Sequence, residues 1–501
     1  MTSRSSATRE VLGGSARVFI AESLILPTAL VTAGFLTRRL GPSAYGILTL
    51  ATAIVAWIEW TLTALFARAS VKLVADADDW RPAGAAVLRL FGATGLIGAI
   101  ALWSAATPIA SLMHEPSLGR YLRLLALDIP LFMLSQAHLQ ILVGTGAYTT
   151  RATVAVWRWT TRMMLVIGFV AAGLSIDGAI LGILGASAIE LIVARWFVKP
   201  TLRHSNGAER ALWSLALPLF VAAMSMRLFD KLDLFTLKAL GGSAALAGQY
   251  GAAQNLTIIP GLVALSLATL LISTLSRSMR AGDAAGARTL ARNALRGVLL
   301  LFPFAGMTAA AATAVSTVIF GREFAPTGPL LSLLIFGAIA TVMISTVSAM
   351  LTAAGRATWT MYVALPIPLV AIIAHLLVIP RLGAMGAATV TLSVAIGGAV
   401  LALIAMHRAW RVLPPLGTTL RALVVTVLAY AMAAVWDASG AAVVVEILVI
   451  SMLIPVAFAA LGELSPDERA SIRALVRRPR LSAVSAEQRW PNRLPSDLRS
   501  R

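Results

Sequence analysis

Cysteine is missing altogether from this 501-residue chain, histidine occurs five times, and charged residues make up only 13% of it. Without cysteine there is no disulfide framework, no thiolate nucleophile and no sulfur-ligated metal. The few histidines are scattered without metal-ligand spacing, so no metal site is expected. No Walker loop occurs, which removes any expectation of an ATP site, and no other cofactor is expected. Long polar stretches are scarce as well, and none is long enough to fold as a separate soluble domain. That excludes the large external loops on which membrane-embedded polymerases and glycosyltransferases do their chemistry. Asp76-Ala77-Asp78 matches a glycosyltransferase Asp-x-Asp in form only, because its short loop has no nucleotide-binding domain around it. The chain is not expected to be an enzyme. A soluble domain carries ~25% charged residues, so a soluble protein is excluded too.

In place of these features stand long apolar runs, in a chain that is 58% hydrophobic with a mean hydropathy of +0.85. A hydrocarbon core about 30 Å thick needs about 20 helical residues to cross it. Fourteen stretches meet that need, at 16–37, 45–67, 87–111, 121–143, 153–173, 177–197, 212–238, 248–276, 294–320, 328–353, 359–379, 384–406, 418–436 and 441–461. The expected fold class is an all-α polytopic membrane protein of about fourteen transmembrane helices. The longer polar stretches are 68–86, 198–211, 277–293 and the tail from Glu463. Residues 1–15 are polar, and the run after them is too long for a signal-peptide core, so the first span is expected to be retained.

A formal charge of +19 would point to nucleic acid if the basic residues shared one soluble face. They alternate with the spans instead. With the N-terminus inside, 32 Lys and Arg fall on the cytoplasmic side, 7 (Arg38, Arg39, Arg120, Arg123, Lys238, Arg322 and Arg381) fall on the other, and Arg227 and Lys231 lie within a span. This asymmetry predicts that both termini are cytoplasmic. The basic surplus then reports insertion and contact with anionic membrane lipids, and no nucleic-acid partner is expected.

An internal repeat is also written in the turns. Leu40-Gly41-Pro42-Ser43 after the first span is matched by Leu240-Gly241-Gly242-Ser243 after the seventh, and Gly146 after the fourth by Gly355 after the tenth. Ile176-Asp177-Gly178-Ala179 between spans five and six is matched by Leu382-Gly383-Ala384-Met385-Gly386-Ala387-Ala388 between eleven and twelve. The offsets run from about 200 to 209 residues, so one unit is six helices. An even helix number relates the two units by an axis along the membrane normal. The chain therefore divides into a cytoplasmic segment 1–15, an N-lobe 16–210, a C-lobe 211–410, two extra helices at 411–461 and a basic cytoplasmic tail 462–501.

The run Phe35-Leu36-Thr37-Arg38-Arg39-Leu40-Gly41-Pro42-Ser43-Ala44-Tyr45-Gly46 resembles the first-loop signature of the polysaccharide transporter, or oligosaccharide flippase, family. The segment from Asp233 to Gly248-Gln249-Tyr250 resembles that family's seventh-helix Asp and the loop after it, which here is about one residue longer. Ile379-Pro380-Arg381-Leu382-Gly383-Ala384-Met385-Gly386-Ala387-Ala388 resembles its late P-x-x-G-x-x-G-A-A turn. The resemblance covers roughly 16–461. It implies a V-shaped fold of two pseudo-symmetric six-helix lobes plus two C-terminal helices, shared more distantly with lipid II flippases and multidrug extrusion antiporters. It implies a multi-pass protein of the bacterial inner membrane that flips a polyprenyl-pyrophosphate-linked oligosaccharide to the outer leaflet, for polysaccharide assembly of the O-antigen or exopolysaccharide kind. A polysaccharide polymerase and chain-length machinery are the partners it implies. Two other readings stand beside it: an ion-coupled antiporter of small organic cations, and a membrane scaffold for a polysaccharide assembly complex.

Charges inside spans cost about 2.5–3.5 kcal/mol each on insertion scales and usually face a bundle interior or a wet cavity. The seventh span holds Arg227, Asp230, Lys231 and Asp233, the first three at i, i+3 and i+4 on one face. These four are the candidate substrate-binding residues, with the Arg227 fork suited to phosphate oxygens. Alternatively Asp230 neutralises Arg227 locally, and Lys231 and Asp233 reach toward the outer interface. Glu22, Glu59 and Asp128 are the candidates for a coupling H⁺ or Na⁺, with pairing of Glu22 or Glu59 to Arg17 or Arg68 as the alternative. Glu190 and Glu446 complete the intramembrane acids. Gln136, His138 and Gln140 share the fourth span with Asp128, and His138 reads as a helix-to-helix donor. Trp57, Trp60, Trp157, Trp159 and Trp196 read as interfacial anchors.

Overall fold

The computed structural model describes residues 18, 20–199, 229–436 and 438–463, and among them there are helices and turns but no strand. Several helices run on through two spans and break at a turn glycine. The first and second spans form Ile25–Ala75, broken at Gly41, where φ is +70°. The eleventh and twelfth lie in Ala357–Ala364 and Pro366–Trp410, the latter broken at Gly383. The third span is Trp80–Leu112, the fourth Pro116–Ala126 with Asp128–Gly144, the fifth Tyr148–Phe169 and the sixth Ser175–Phe197. Of the seventh, 229–239 is described. The eighth is Ala244–Leu256 with Ile258–Arg280, and the ninth is built from Ala284–Leu299, Phe302–Ala310 and Ala312–Phe320. The tenth is Thr327–Ala353, and Leu416–Trp436 and Ala442–Ala460 close the series. This is the expected polytopic α-helical fold.

The helices outrun the apolar stretches because polar residues at their ends continue the hydrogen bonding. Asp79 caps the third span by accepting from the Arg81 N–H at 3.1 Å, and Asp283 caps the ninth by accepting from the Gly286 N–H at 2.8 Å. The polar stretch 277–293, expected as a loop, is therefore helical on both sides of the turn at 281–283. An amphipathic first segment of the ninth helix leads into the bundle there.

The repeat is visible in the packing. The fourth span lies against the second, third and sixth; the tenth, six helices later, lies against the eighth, ninth and twelfth. The matched turn glycines share a backbone state, with φ of +70° at Gly41 and +94° at Gly241, and +76° at Gly146 and +72° at Gly355. A side chain at these positions would force an L-residue into the left-handed region. The thirteenth span packs on Phe302–Ala310 of the ninth.

The two lobes meet near the turns that hold Gly41 and Ser243, the face poor in basic residues. There the second and eighth helices cross at backbone distance: a Cβ on Gly46 would run into the Ala244 carbonyl oxygen, and one on Gly248 into that of Pro42. Lipid tails give helices no hydrophobic reason to associate, so such small-residue contacts carry the crossing. Around it the Asn255 amide donates to the Tyr45 hydroxyl at 2.9 Å, Arg38 donates to the Val318 carbonyl, and buried Lys238 pairs with Glu115 at 3.4 Å.

At the opposite, basic face Glu463 ties the last helices to the C-lobe. Its side chain is 2% exposed and accepts from Arg296 Nε and Thr418 Oγ1, each at 2.6 Å, and from Arg421 at 2.9 Å. Burial pushes the Glu463 carboxyl up, but these donors outweigh it and hold it below the usual carboxylate range. The stabilisation is thus complete above the ordinary Glu value of about 4.3 and is lost as pH falls through the lower folded value. Purified wild-type protein should lose melting temperature on acidification in that window. Glu463→Gln should start lower at neutral pH and show a flatter acid limb; an identical acid limb in both proteins would rule out the latch as its source.

Candidate functional site

The fifth helix places Arg151, Ala155, Arg158 and Arg162 on one face, at steps of four, three and four residues. That face looks into the N-lobe. Arg158 lies about 15 Å along the helix from Tyr148 by the 1.5 Å rise, well inside the bundle. With the first, second, fourth and sixth spans, the fifth encloses a cavity of about 250 Å³ walled by Arg151, Arg158, Gln136, Gln140, Trp60 and Trp159. Both amide side chains belong to the polar face of the fourth span.

Arg158 is held from several sides. Its guanidinium lies 4.9 Å from the ring centre of Phe132 and 5.0 Å from that of Trp159, and it pairs at 3.3 Å with Glu190, whose side chain is 1% exposed. Stacking and pairing fix the planar fork before any ligand arrives. Nearer the basic face, Arg151 pairs with Glu22 at 3.5 Å, and the Trp159 Nε1–H donates to the other Glu22 oxygen at 3.3 Å. Glu22 thus has partners on the fifth span; of the two arginines expected beside it, Arg17 lies outside the described residues. Trp159 and Trp60 stand in the cavity wall, whereas Trp157 and Trp196 project outward, as interfacial anchors do.

Behind Arg158 lies a second layer. Glu59 of the second span and Asp128 of the fourth are both buried, and Asp128 is within hydrogen-bonding reach of Glu59 and of the Ser187 hydroxyl. Arg158 and Arg162 both act on this pair electrostatically. Among the described residues, Glu59 Oε1, Asp128 Oδ1 and Glu190 Oε2 each lack a hydrogen-bond partner. His138 of the fourth span is turned to its own helix, with Nδ1 2.7 Å from the Leu134 carbonyl oxygen.

The seventh-span set divides. Arg227 lies outside the described residues. Asp230 is exposed, whereas Asp233 is buried and fully engaged. The Asp233 carboxylate accepts from the Leu234 N–H, the Tyr250 hydroxyl, the Gln254 amide and the Thr391 hydroxyl at 2.7 to 3.1 Å. Lys231 Nζ donates to the Gln254 oxygen at 2.8 Å, which adds it to the same network. This geometry knits the seventh, eighth and twelfth spans together. Among the described residues no group of acids and histidines has the arrangement of a metal site.

The sequence matches the profile of the family described as "Polysaccharide biosynthesis protein" over residues 35–329. The chain belongs to that family. No curated protein matches the sequence. Among solved structures, the chain is similar to the lipid II flippase MurJ in an inward closed conformation, at TM-score 0.71 and 15% identity, over 93% of this chain and 100% of that one. It is also similar to an inward-facing multidrug resistance MATE family transporter, at TM-score 0.58 and 16% identity, over 81% and 94%. A MOP superfamily transporter from Pyrococcus furiosus, with a binding pocket described as of reverse polarity, aligns at TM-score 0.53 and 16% identity, over 83% and 96%. Identities this low speak to the fold. The fold is that of the flippase and MATE transporters, and in this family member its cavity is lined by arginine.

Sequence reasoning leaves Arg151, Arg158, Arg162 and Glu190 out of the site. It counts the three arginines with the cytoplasmic basic residues, whereas the structure turns them toward the bundle, Arg158 and Arg162 lying farthest along the helix from Tyr148. The signal was present in the spacing of four residues between Arg158 and Arg162, inside an apolar run.

Proposed function

We propose that this chain is a flippase that moves a polyprenyl-pyrophosphate-linked oligosaccharide from the cytoplasmic to the outer leaflet of the bacterial inner membrane by alternating access, for polysaccharide assembly. The observation that carries this reading is the arginine-lined cavity in the N-lobe of a transporter fold. Sugar and pyrophosphate cannot cross hydrocarbon unaided, whereas the lipid tail can stay in the bilayer. Arg151 and Arg158 suit phosphate oxygens, Gln136 and Gln140 suit sugar hydroxyls, and Trp60 and Trp159 offer ring faces. In this reading Arg227, Lys231, Asp230 and Asp233 are the candidate substrate contacts of the C-lobe, and Glu22, Glu59 and Asp128 are the ion-coupling acids. Polymerase and chain-length proteins would receive the flipped product. A cation antiporter fits less well, because the cavity acids Glu22 and Glu190 are already paired with Arg151 and Arg158.

Proteoliposomes test this directly. A defined lipid-linked oligosaccharide placed in one leaflet should become accessible from the other at a rate set by the amount of protein. A rate no higher than in protein-free vesicles rejects the flippase. Orientation is tested separately and cleanly, since the chain has no native cysteine. Ser43→Cys should react with an impermeant maleimide in intact cells, and Ser278→Cys should react only after lysis. The reverse pattern overturns the assignment of the basic face to the cytoplasm.

A further inference from the structure

The N-lobe cavity and the layer behind it hold four carboxyl groups, on Glu22, Glu59, Asp128 and Glu190, facing three guanidinium groups, on Arg151, Arg158 and Arg162. Two buried carboxyl groups in contact need a proton between them, because like charges at that distance in a low dielectric do not both ionise. With one proton shared by Glu59 and Asp128, the set of seven is neutral. An anionic headgroup disturbs that balance. To bind Arg158 bidentately it must draw the guanidinium from Glu190, which is 1% exposed and would be left as an uncompensated buried charge. The cheapest repair is a proton, and the acceptors are already in place. Among the described residues, Glu59, Asp128 and Glu190 each present one buried oxygen without a partner.

We infer that Glu59, Asp128 and Glu190 form a proton store that fills when an anionic pyrophosphate headgroup occupies the arginine-lined cavity, so that headgroup and proton are bound together. This rests on the cavity reading above and adds its regulation. The step is simple in its chemistry. The Arg158–Glu190 ion pair opens, the guanidinium hydrogen-bonds the incoming phosphate oxygens, and a proton from water forms an O–H bond on the carboxyl cluster. The groups that act on the cluster are Arg158 and Arg162 from the fifth span, with Glu22 of the first span acting on Glu190. Ser187 of the sixth span supplies a neutral hydroxyl. The two arginines favour a proton over Na⁺. A metal ion would need both carboxylates charged and would sit beside two guanidinium groups with one neutral oxygen to help, whereas a proton bonds directly to a carboxyl oxygen.

Linkage makes the inference measurable, because if anion binding raises proton affinity, protons must raise anion affinity by the same factor. Purified full-length protein in detergent is titrated calorimetrically with geranylgeranyl pyrophosphate, and separately with inorganic pyrophosphate, in buffers of differing ionisation enthalpy at one pH. The slope against buffer enthalpy counts the protons taken up. Wild type should take up about one proton more per ligand than Glu59→Gln/Asp128→Asn, and its affinity should gain close to tenfold more per unit fall in pH. The ligand's own protonation is common to both proteins and cancels. Glu190→Gln gives an independent variant should the double one fold poorly, and it should show the same loss of uptake. Equal proton counts in wild type and variants overturn the linkage and leave the cavity standing. Failure of wild type to bind either ligand overturns the cavity reading and the linkage with it. Uptake with the lipid-borne ligand alone identifies a lipid headgroup as the anion recognised, and uptake with both shows that pyrophosphate suffices.

Discussion

Valine at Gly248 should abolish transport while leaving protein in the membrane at near-normal amounts. The second and eighth helices cross there with no room for a side chain, since a Cβ on Gly248 would meet the Pro42 carbonyl oxygen and lie 3.0 Å from the Gly46 nitrogen. The crossing joins one lobe to the other, and in the proposed alternating-access cycle it would form and dissolve each time. A wedge at this point acts on one end of the cycle. Overpacking costs of about 1–3 kcal/mol are common, which corresponds to a fall of about fivefold to 150-fold in the joined state relative to the parted one. Asn255 with Tyr45 and Lys238 with Glu115 lie beside the crossing and would part with it. The measurement is the reaction rate of Ser43→Cys with an impermeant maleimide, alone and combined with Gly248→Val. The combination should react faster and transport should be lost. Gly248→Ala should show both effects in smaller measure. Unchanged reactivity together with normal transport would show that the crossing does not move during the cycle.

How much of this could be read from the sequence depends on how local the information is. Helix number and turn positions are local. Apolar runs set the spans, and glycines such as Gly41, Gly241, Gly146 and Gly355 mark the turns because their φ values are positive. The sixfold spacing between the lobes followed from those same glycines, and the equivalent packing of the fourth and tenth spans agrees with it. Partnerships between charges are not local. Glu190 lies 32 residues from Arg158, and Glu22 lies 129 from Arg151, so no helical periodicity connects them. Counting basic residues by loop also hid Arg158 and Arg162, because a residue close to the end of an apolar run scores as a topology signal whether or not its side chain turns inward. Asp233 stood out as an intramembrane charge, but Tyr250, Gln254 and Thr391, which engage it, look ordinary in sequence. Sequence placed the acids Glu59 and Asp128 on different spans. Only the packing of the second span on the fourth brings them together.

Arg158 offers the sharpest separation of a cavity role from a packing role. Arg158→Ala removes both the partner of a buried carboxylate and a stacked side chain between Phe132 and Trp159. Breaking a buried ion pair from one side costs about 3–5 kcal/mol in typical cases, so this variant should be both inactive and low in abundance, and by itself it decides little. The double variant Arg158→Met/Glu190→Met decides more. It removes the charges together and refills the space with apolar side chains, a replacement that in other proteins is often neutral or stabilising. Abundance and melting temperature should therefore return close to wild type. Transport should not return if Arg158 receives the headgroup, because the cavity has then lost its deepest fixed cation. Arg158→Lys should lie between these extremes, keeping a positive charge beside Glu190 while losing the bidentate fork and the planar stack. Its deficit should appear mainly as weaker substrate affinity rather than a lower maximal rate, since a point charge still binds phosphate but orients it less well. Wild-type transport by the double variant would assign Arg158 and Glu190 to packing alone, and would return the search for the phosphate-binding cation to Arg151 and to the seventh span.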